Sequence, residues 1–585
     1  MTDVANQARN HQLDALRRTT TPSVLIVGGG INGIGLYRDL ALQGVDVLLV
    51  ERGDFCSGAS AALSRMIHGG LRYLEQGEFR LVRESLEERN NLLRIAPHYV
   101  SPLATTIPIL DYTSGIFHAA LRFLRITDRP SRRGALIVKL GLSFYDFFTR
   151  KRRETPTHVM RGRKETFERW PAFNPAVKYS ATYYDAWVTY PERLGLEMIT
   201  DIAESDAAAL AVNYVSVDSS AGDTVTLRDE KTNERFEVRP GLVVNATGAW
   251  IDLTNGALQG RASNTPTNMV GGTKGSHLII RNAELLEATG GQMVYYENQE
   301  GRICILFPYF GNVLVGSTDI KIDDPNDVRC EEDERDYILK SLAFVFPDIK
   351  IADEDIRYTF SGVRPLVSSD SSVTGSISRD HFCRTLPPTQ ERTYPVLCMI
   401  GGKWTTFRAF GEQVTDEILD YLGQERICGT SDIAIGGGRD FPKNDDVFDT
   451  WISALSDQTE LEPDRLRTLA ERYGTGAVKI ASFLNQEDDQ PLASNPSYSR
   501  REILHILRGE SVADVEDILL RRTSIGVSGE LSRPLIDEVV SIAADEWGWS
   551  SEEKDDGLTQ LLERLSRLHA VSIDTPQDAN INQDL

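Results

Sequence analysis

Four consecutive apolar residues, Val24–Val27, begin the regular pattern of the chain and lead directly into three glycines. A helical stretch to Leu42 and a second apolar run, Val45–Val50, follow. Short apolar runs separated by a glycine turn and a helix are typical of strands buried in a parallel sheet. The pattern therefore predicts a βαβ unit. The preceding residues, 1 to about 21, are polar and without a period, and are predicted to form a loose tail.

Two later stretches predict further strands. Leu242–Val244 is an apolar run that ends in Asn245–Gly248, as expected of a buried strand followed by a tight turn. Between Gly301 and Asp319, two alternating runs flank Gly311-Asn312, which predicts a hairpin. The chain should therefore contain an antiparallel sheet in addition to the parallel one.

Beyond about residue 436, apolar residues recur every three or four positions, as in helices packed on one another. Gly436–Gly438 is interpreted as a linker to this region, and residues 571–585, rich in Asn, Gln and Asp, as a disordered tail. The predicted helices are Asp446–Leu455, Pro463–Tyr473, Arg501–Leu507, Val515–Arg522 and Pro534–Trp547.

The composition is that of a soluble globular protein of several domains, with 585 residues of which 41% are hydrophobic and 25% charged. The net charge of −23 argues against nucleic acid as a partner and requires a local basic cluster for any anionic substrate. The six cysteines have no CxxC or metal-ligand spacing, which favours a reducing compartment and no metal site. No apolar run reaches the roughly 18 to 20 residues that span a bilayer, so a cytoplasmic location is expected.

The first glycines form the motif Gly28-Gly29-Gly30-Ile31-Asn32-Gly33, a GxGxxG between a strand and a helix. In such a motif the first glycine makes the turn, the second admits a pyrophosphate and the third lets the helix pack on the strand. The helix N-terminus then offers N–H groups to the phosphates. Glu51 ends the second strand, where its carboxylate can bind ribose hydroxyls. The spacing predicts a dinucleotide site.

Two features favour FAD over NAD as the dinucleotide. Small residues in Ser57–His68 lead into Gly69-Gly70 just past the acidic strand, where a flavin ring can lie against the backbone. Gly401-Gly402-Lys403 follows the apolar run Val396–Ile400, almost 370 residues after the first motif. A long, extended cofactor needs contacts from such distant parts of the chain.

Six blocks, in order along the chain, resemble those of the FAD-dependent glycerol-3-phosphate dehydrogenases, a family of membrane-associated, aerobic enzymes. The C-terminal segment Leu520–Thr523 also resembles the cap domain of this family. The chain departs from the family pattern at Ser64-Arg65-Met66, where relatives often have Ser-Lys-Leu. The six blocks are Ile67–Glu75, Lys274–His277, Gly316–Asp319, Ser361–Leu366, Ser378–Asp380 and Gly402–Arg408.

The resemblance implies a D-amino-acid-oxidase-like α/β fold, in which a Rossmann-like FAD-binding domain joins an antiparallel-sheet substrate domain and a helical C-terminal cap. It also implies noncovalent FAD, oxidation of sn-glycerol 3-phosphate to dihydroxyacetone phosphate, and transfer of electrons to membrane quinone. A homodimer is an expectation from resemblance alone. The expected domains are 22–103 with 190–260 and 360–435 for FAD, 104–189 with 261–359 for substrate, and 436–570 for the cap.

The resemblance also indicates the site residues. Arg364, Arg379 and Lys403 are expected to line the substrate pocket together with Arg72 and Tyr73. Guanidinium groups match phosphate oxygens in pairs, and a lysine adds a point charge. With the residues of the glycine motif and Glu51, the expected cofactor contacts are Gly28, Gly30, Asn32, Gly33, Glu51, Ser60, Ser64, His68, Gly69, Gly70, Gly248, Gly362, Gly402, Lys403 and Thr405.

Oxidation of a secondary alcohol needs a group that removes the hydroxyl proton as the hydride leaves. His277 is the first candidate for this base, because histidine titrates near working pH. His68 competes with it but lies in the flavin-contacting segment, and Arg364 stays open as a proton partner. Lys403 near the flavin can stabilise the reduced, anionic ring.

Residues 121–164 carry thirteen Lys or Arg against three Asp or Glu, a charge of +10 in a chain of −23. Within them, the apolar run Ala135–Phe148 ends at Arg150–Arg153. The run is too short to span a bilayer and fits an interfacial helix on anionic headgroups. A peripheral location on the inner face of the cell membrane is therefore expected, with a buried helix and a solvated basic end as the alternative.

Three other functions stay open at this point. The same fold can oxidise an amine or amino acid, which would require an arginine for a carboxylate and a less cationic pocket. The same substrate can be oxidised with oxygen as acceptor. A non-catalytic FAD-binding sensor would bind the cofactor without being reduced by substrate.

Overall fold

The computed structural model describes residues 7–70, 78–112, 134–150, 154–205, 207–259, 268–367 and 380–572. The strands in this part of the chain are β1 Val24–Val27, β2 Val47–Val50, β3 Met66–Ile67, β4 Val100–Ile109, β5 Val159–Gly162, β6 Tyr179–Val188, β7 Ala209–Val212, β8 Val215–Ala221, β9 Thr224–Asp229, β10 Arg235–Val238, β11 Leu242–Asn245, β12 Val270–Ile280, β13 Met293–Glu297, β14 Ile303–Tyr309, β15 Asn312–Gly316, β16 Ile320–Ile322, β17 Ile356–Val367, β18 Phe382–Leu386 and β19 Val396–Ile400.

The α-helices of six or more described residues are α1 Gln7–Arg18, α2 Ile31–Leu42, α3 Phe79–Ile95, α4 Ala135–Thr149, α5 Arg163–Arg169, α6 Pro191–Ala203, α7 Ile251–Leu258, α8 Ala283–Ala288, α9 Glu332–Val345, α10 Phe407–Leu422, α11 Asp445–Thr459, α12 Pro463–Tyr473, α13 Ala477–Leu484, α14 Arg500–Gly509, α15 Arg533–Trp547 and α16 Ser551–His569.

The first sheet has six strands in the order β18-β19-β11-β1-β2-β7, all parallel except for β18. All four residues of β1 and of β2 are buried, which is why both strands are continuous apolar runs. The predicted βαβ unit and the strand Leu242–Asn245 are confirmed, and their carboxyl ends meet at one edge of this sheet.

The second sheet has ten strands, in the order β16-β12-β15-β14-β13-β4-β6-β3 with β17 on β12 and β5 on β6. The predicted hairpin is confirmed as β14 and β15, joined by Phe310 and Gly311 at φ 47° and 70°. Strand β17 pairs with β12 from Val367 to Ile356 and so belongs wholly to this sheet. The boundary expected between residues 359 and 360 is therefore wrong, because a continuous strand crosses it.

The expected loose tail at residues 1–21 is also wrong for the described residues, because α1 packs on the protein. Leu13 and Leu16 are buried in the core beside the parallel sheet. The buried Arg9 forms an ion pair of 2.8 Å with Asp229. Two buried leucines and the ion pairs of Arg9 and Arg17 attach the helix, and two apolar positions are too few to form a visible period in the sequence.

The predicted C-terminal helices are present. The structure adds two helices that were not predicted and corrects the interpretation of Gly436–Gly438. α13 and α16 were not predicted, although Leu558, Leu561 and Leu565 form the buried stripe of α16. Gly436–Gly438 is a 3₁₀ turn rather than a free linker. Gly437 and Gly438 are buried, and a Cβ on Gly437 would overlap the carbonyl of Tyr473, so only glycine fits this contact.

Candidate active site

A cavity of about 970 Å³ lies where the carboxyl ends of the parallel strands meet one face of the ten-stranded sheet. Its walls include Gly28 after β1, Glu51 after β2, Gly248 after β11 and Gly402 after β19. In open α/β sheets, ligands bind at this edge of the strands. The cavity therefore has the position that a dinucleotide needs.

The glycine motif makes the turn that its spacing predicts. Gly28 has φ 113°, and a Cβ there would lie 2.7 Å from the carbonyl oxygen of Ala246. A Cβ on Gly33 would overlap the carbonyl of Gly28, so this third glycine packs α2 on β1 and does not line the cavity. Gly30 does line it and is the residue that precedes α2.

Glu51 holds a fixed carboxylate at the end of β2. Its Oε2 accepts a hydrogen bond of 2.6 Å from the backbone of Gly29, and Oε1 accepts one of 2.8 Å from that of Gly53. Burial raises the pKa of this carboxyl, and the two N–H donors oppose the rise. The carboxylate is oriented by the protein before any ligand arrives, as a ribose-binding acid should be.

Several other expected cofactor residues line the same cavity. Asn32 donates from Nδ2 to the Gly401 carbonyl at 3.2 Å, while its buried Oδ1 has no hydrogen-bond partner in the described residues. Ser60 accepts a bond of 2.9 Å from the backbone of Ile31. An orphaned buried acceptor beside a glycine cradle fits a cofactor that brings its own donor. Ser64, His68, Gly70 and Thr405 complete this wall.

Gly69 and Gly362 are placed differently from the other expected cofactor residues. The N–H of Gly69 donates to Tyr145 of α4 at 2.9 Å and to Asp185 at 3.1 Å, outside the cavity wall. A Cβ on Gly362 would lie 2.5 Å from Cβ of Ala62, so this glycine admits segment 59–62 against β17. Arg72, Tyr73 and Arg379 lie outside the described residues.

His277 lies in the cavity on β12, opposite Gly316 of β15 and Phe360 of β17. Its ring stacks on Phe360 with centroids 4.9 Å apart, and a Cβ on Gly316 would overlap it. Both ring nitrogens are buried without a hydrogen-bond partner in the described residues. Burial, with Arg364 and Arg65 nearby, lowers its pKa to about 3, so the imidazole is neutral. Contrary to the expectation from the sequence, it does not titrate near working pH, and it is a weaker base than an ordinary histidine.

Arg364 lies on the same face of the sheet, four residue pairs along from His277. Its guanidinium covers Gly275, where any Cβ would overlap it. Nη1 donates to the Thr318 carbonyl at 3.2 Å and forms an ion pair of 3.3 Å with Asp319, and Nη2 donates to Ser317 at 3.1 Å. One glycine in each neighbouring strand thus leaves room for the two functional side chains.

Lys403 lines the cavity at the 3₁₀ turn Trp404–Thr406, on the side of α3. Its Nζ donates a hydrogen bond of 2.6 Å to Ser85, which is fully buried in α3. Arg364, Lys403 and His277, which are far apart in the sequence, thus all line the same cavity.

The sequence interpretation missed three side chains at this end of the cavity. Arg302 lies 3.7 Å from Asp319, which also binds Arg364, so two guanidinium groups share one carboxylate. The block Gly316–Asp319 was noticed as a resemblance, but its Ser317 and Asp319 were not identified as site residues. For Arg302, the sequence indicates only that the residue follows Gly301 at the start of the predicted hairpin segment.

Helix α4 has one buried face and one exposed apolar face. Its inner face buries Val138, Leu142 and Tyr145. The opposite stripe, here called the α4 outer face, consists of Leu136, Leu140, Phe144 and Phe147, each between 45% and 60% exposed. In the described parts of the chain, no helix combines the length and the apolar character needed to cross a membrane.

A glycine turn, an oriented carboxylate at the end of the second strand and a cavity running onto a second sheet are the features of a flavin-dependent oxidoreductase. A family model described as FAD dependent oxidoreductase matches residues 23–417, and a second, the C-terminal domain of alpha-glycerophosphate oxidase, matches residues 428–554. The chain belongs to the FAD-dependent oxidoreductase family and, within it, to the glycerol-3-phosphate dehydrogenases, and its cofactor is FAD.

Relatives and a solved structure agree with this assignment. The chain is 31% identical to a glycerol-3-phosphate dehydrogenase of Synechocystis, covering 92% of this chain and 95% of the relative. It is 30% identical to a D-erythritol 1-phosphate dehydrogenase of Brucella abortus, covering 86% and 94%. The glycerol-3-phosphate dehydrogenase of Bacillus halodurans complexed with FAD has the same fold, with a TM-score of 0.74, 22% identity and coverage of 97% and 98%.

Proposed function

We propose that this protein oxidises sn-glycerol 3-phosphate to dihydroxyacetone phosphate. The observation that carries the proposal is that Arg364 and His277 lie on one face of the sheet and line the same cavity. A cation and a neutral imidazole that has no hydrogen-bond partner among the described residues fit a substrate that has a phosphate close to an alcohol. The similarity to a glycerol-3-phosphate dehydrogenase over almost the whole chain supports the same substrate.

Each side chain has a defined task in this reaction. FAD, when bound, accepts the hydride from C2 of the substrate. Arg364 and Lys403 bind the phosphate, and we include Arg72, Tyr73 and Arg379 in the same group on their sequence pattern. His277 accepts the proton of the C2 hydroxyl through a ring nitrogen that has no protein partner in the described residues.

The first experiment is anaerobic mixing of the purified holoenzyme with sn-glycerol 3-phosphate, followed by the flavin absorbance. Rapid bleaching is expected with this substrate, and not with glycerol, which lacks the phosphate, or with an amino acid. D-erythritol 1-phosphate is the matched test of substrate length, because a relative acts on it. A flavin that stays oxidised with sn-glycerol 3-phosphate contradicts the proposed substrate.

The His277→Gln variant tests the base. Glutamine keeps a polar side chain but cannot accept the proton, so we expect flavin reduction to slow by about 10²- to 10⁴-fold. The unchanged flavin spectrum before substrate addition is the control for an intact site. Reduction at nearly the wild-type rate would exclude His277 as the base and leave His68 or Arg364 for that role.

We further propose that the protein works on the inner face of the cell membrane and passes its electrons to quinone. The α4 outer face supports this, because four large apolar side chains are exposed on one stripe. Residues 121–164, with their charge of +10, surround that helix in the sequence. Apolar side chains beside a basic segment match an anionic lipid surface in both chemistry and charge.

Sedimentation with anionic phospholipid vesicles tests this membrane contact. Phe144→Glu should abolish binding, because it places a charge among the inserted side chains. Ile427→Glu is the matched control, since Ile427 is 74% exposed on another part of the surface and its variant should still bind. Equal binding by both variants, or none by the wild type, would contradict the proposed location. Reoxidation by a soluble quinone compared with oxygen separates the two acceptors.

A further inference from the structure

Two arginines of the C-terminal domain reach a carboxylate beside the FAD site. Arg521 and Arg522 end the π-helical turn Ile518–Arg522. Arg521 contacts Oδ2 of Asp54 at 2.6 Å, and Arg522 contacts Oδ2 and Oδ1 of the same residue at 2.7 and 2.8 Å. All three side chains are buried, with at most 7% exposure, so these contacts are charge pairs without solvent.

Asp54 does not line the cavity, so its side chain is not placed to contact a ligand there. Its Oδ1 accepts a further hydrogen bond of 3.0 Å from Asn213, whose amide also donates to the Ser511 carbonyl of the C-terminal domain at 2.7 Å. The arginines hold the pKa of Asp54 below its usual range, although burial alone would raise it. The carboxylate is therefore ionised and fixed between two domains.

The same turn holds the carboxylate of Glu51. The N–H of Gly53, next to Asp54, donates to Oε1 of Glu51 at 2.8 Å. The carbonyl of Gly53 accepts a hydrogen bond of 2.8 Å from the backbone of Tyr214. The hydroxyl of Tyr214 in turn donates to Asp517 at 2.6 Å. Gly53 is thus linked to the C-terminal domain by two routes, one through the neighbouring Asp54 and one through Tyr214.

Asp517 closes this network on the side of the C-terminal domain. It pairs with Arg521 at 2.6 Å, so two carboxylates face two guanidinium groups in one buried cluster. In such a cluster, removal of one charge leaves another buried charge without its partner. The positions of Asp54 and of the turn that it anchors therefore depend on the C-terminal arginines.

We propose that the helical C-terminal domain is part of the FAD site: Arg521 and Arg522 act as positioning residues that hold Asp54 and thereby orient Glu51 toward the cofactor. The proposal rests on the assignment of Glu51 to the ribose of FAD made above. It gives the C-terminal domain a chemical role in a site that it does not itself line, and predicts that changes in that domain alter cofactor affinity.

The test is titration of the apoprotein with FAD, followed by fluorescence, for Arg522→Gln. Loss of the two charge-assisted contacts with Asp54 should raise the dissociation constant of FAD at least about tenfold. Arg472→Gln is the matched control, because Arg472 is also buried and pairs with Glu502 within the C-terminal domain at 3.0 Å. It should lower the melting temperature of the apoprotein but leave FAD affinity within about threefold.

A double-mutant cycle with Glu51→Gln identifies the route of the effect. If Arg522 acts through Glu51, its substitution should weaken FAD binding much less once Glu51 is replaced, so the two effects are not additive. Additive effects, or unchanged affinity in Arg522→Gln, would overturn the proposal. Unchanged affinity in Glu51→Gln alone would instead reject the ribose assignment, so the two failures are distinguishable.

Milder variants keep the test valid if Arg522→Gln does not fold. Asn213→Ala removes one hydrogen bond to Asp54, and Tyr214→Phe removes one to Asp517, and neither leaves a buried charge without a partner. Both should weaken FAD binding severalfold in a folded protein and lose that effect in the Glu51→Gln background. Wild-type affinity in both variants would contradict the proposed network.

Discussion

At the scale of single residues, the site depends on glycines that make room for larger groups. His277 and Arg364 can lie side by side only because Gly316 and Gly275 in the adjacent strands have no side chains. The sequence showed these residues only as members of short blocks. Which glycine makes room for which side chain is determined by the register between strands. A local sequence pattern does not contain this information.

Gly275→Ala tests this use of space. The new Cβ would overlap the guanidinium of Arg364, so we expect the arginine to move and KM for the substrate to rise by about tenfold or more, the effect of one lost charged contact. FAD affinity should not change. Gly256→Ala is the control, because nothing lies within 4 Å of the added atom. Steady-state kinetics with unchanged KM in Gly275→Ala would contradict the geometry.

His277 also links the site to stability. Its pKa of about 3 in the folded protein lies below the 6.5 of an ordinary histidine, so the unfolded chain binds the extra proton. The stability that this residue contributes is complete above pH 6.5 and is lost as the pH falls toward 3. Relative to His277→Gln, the wild type should lose about 2 kcal/mol of unfolding free energy between pH 8 and pH 5. Parallel pH profiles from denaturant titrations of the two apoproteins would contradict this.

At the scale of elements, long periodic segments were predictable and short attached ones were not. The βαβ unit, the β14–β15 hairpin and most C-terminal helices followed from apolar spacing and turn residues. The helix α1 did not, because its attachment depends on the distant Asp229 rather than on its own period. The path of β17 across a supposed domain boundary was equally hidden, since its partner β12 lies some 80 residues earlier.

Two of the three arginines of α1, Arg9 and Arg17, give a prediction at this scale. Arg9→Met leaves the fully buried Asp229 without its cation, so we expect a loss of about 3 kcal/mol in unfolding free energy. Arg17, on the same helix as Arg9, forms an exposed ion pair with Glu234. Arg17→Met removes this pair and should lower the unfolding free energy by less than about 1 kcal/mol. Chemical denaturation of both variants measures the difference. Equal, small effects would show that α1 adds little to the fold.

At the scale of the whole molecule, the C-terminal domain is joined to the FAD-binding body by buried charges as well as apolar contacts. Arg193 of α6 pairs with Glu510 at 2.9 Å, in addition to the cluster around Asp54. Met66, Phe307 and Tyr358 of the large sheet share a core with Leu519 and Ile525. An interface of this kind makes the two domains one cooperative unit.

This cooperativity can be measured by cutting the chain between the domains. A protease site inserted at the exposed residues Gly423–Glu425 should allow cleavage, yet both fragments should elute together in gel filtration and retain FAD. The buried ion pairs and the shared core hold them together without the covalent link. An uncut chain carrying the same insertion is the control. Separation of the fragments after cleavage would contradict a shared core.

The contact between α4 and Gly69 has one further consequence. The inner face of this helix hydrogen bonds the segment at the flavin side of the cavity through Tyr145, while its outer face is apolar and exposed. The segment that contains Gly69 is therefore separated from the α4 outer face only by the width of one helix, about 10 Å. For the membrane contact proposed above, this means that the lipid surface would lie about one helix diameter from the segment Ile67–Gly70, so that a quinone would have only a short distance to travel from the lipid to the cavity.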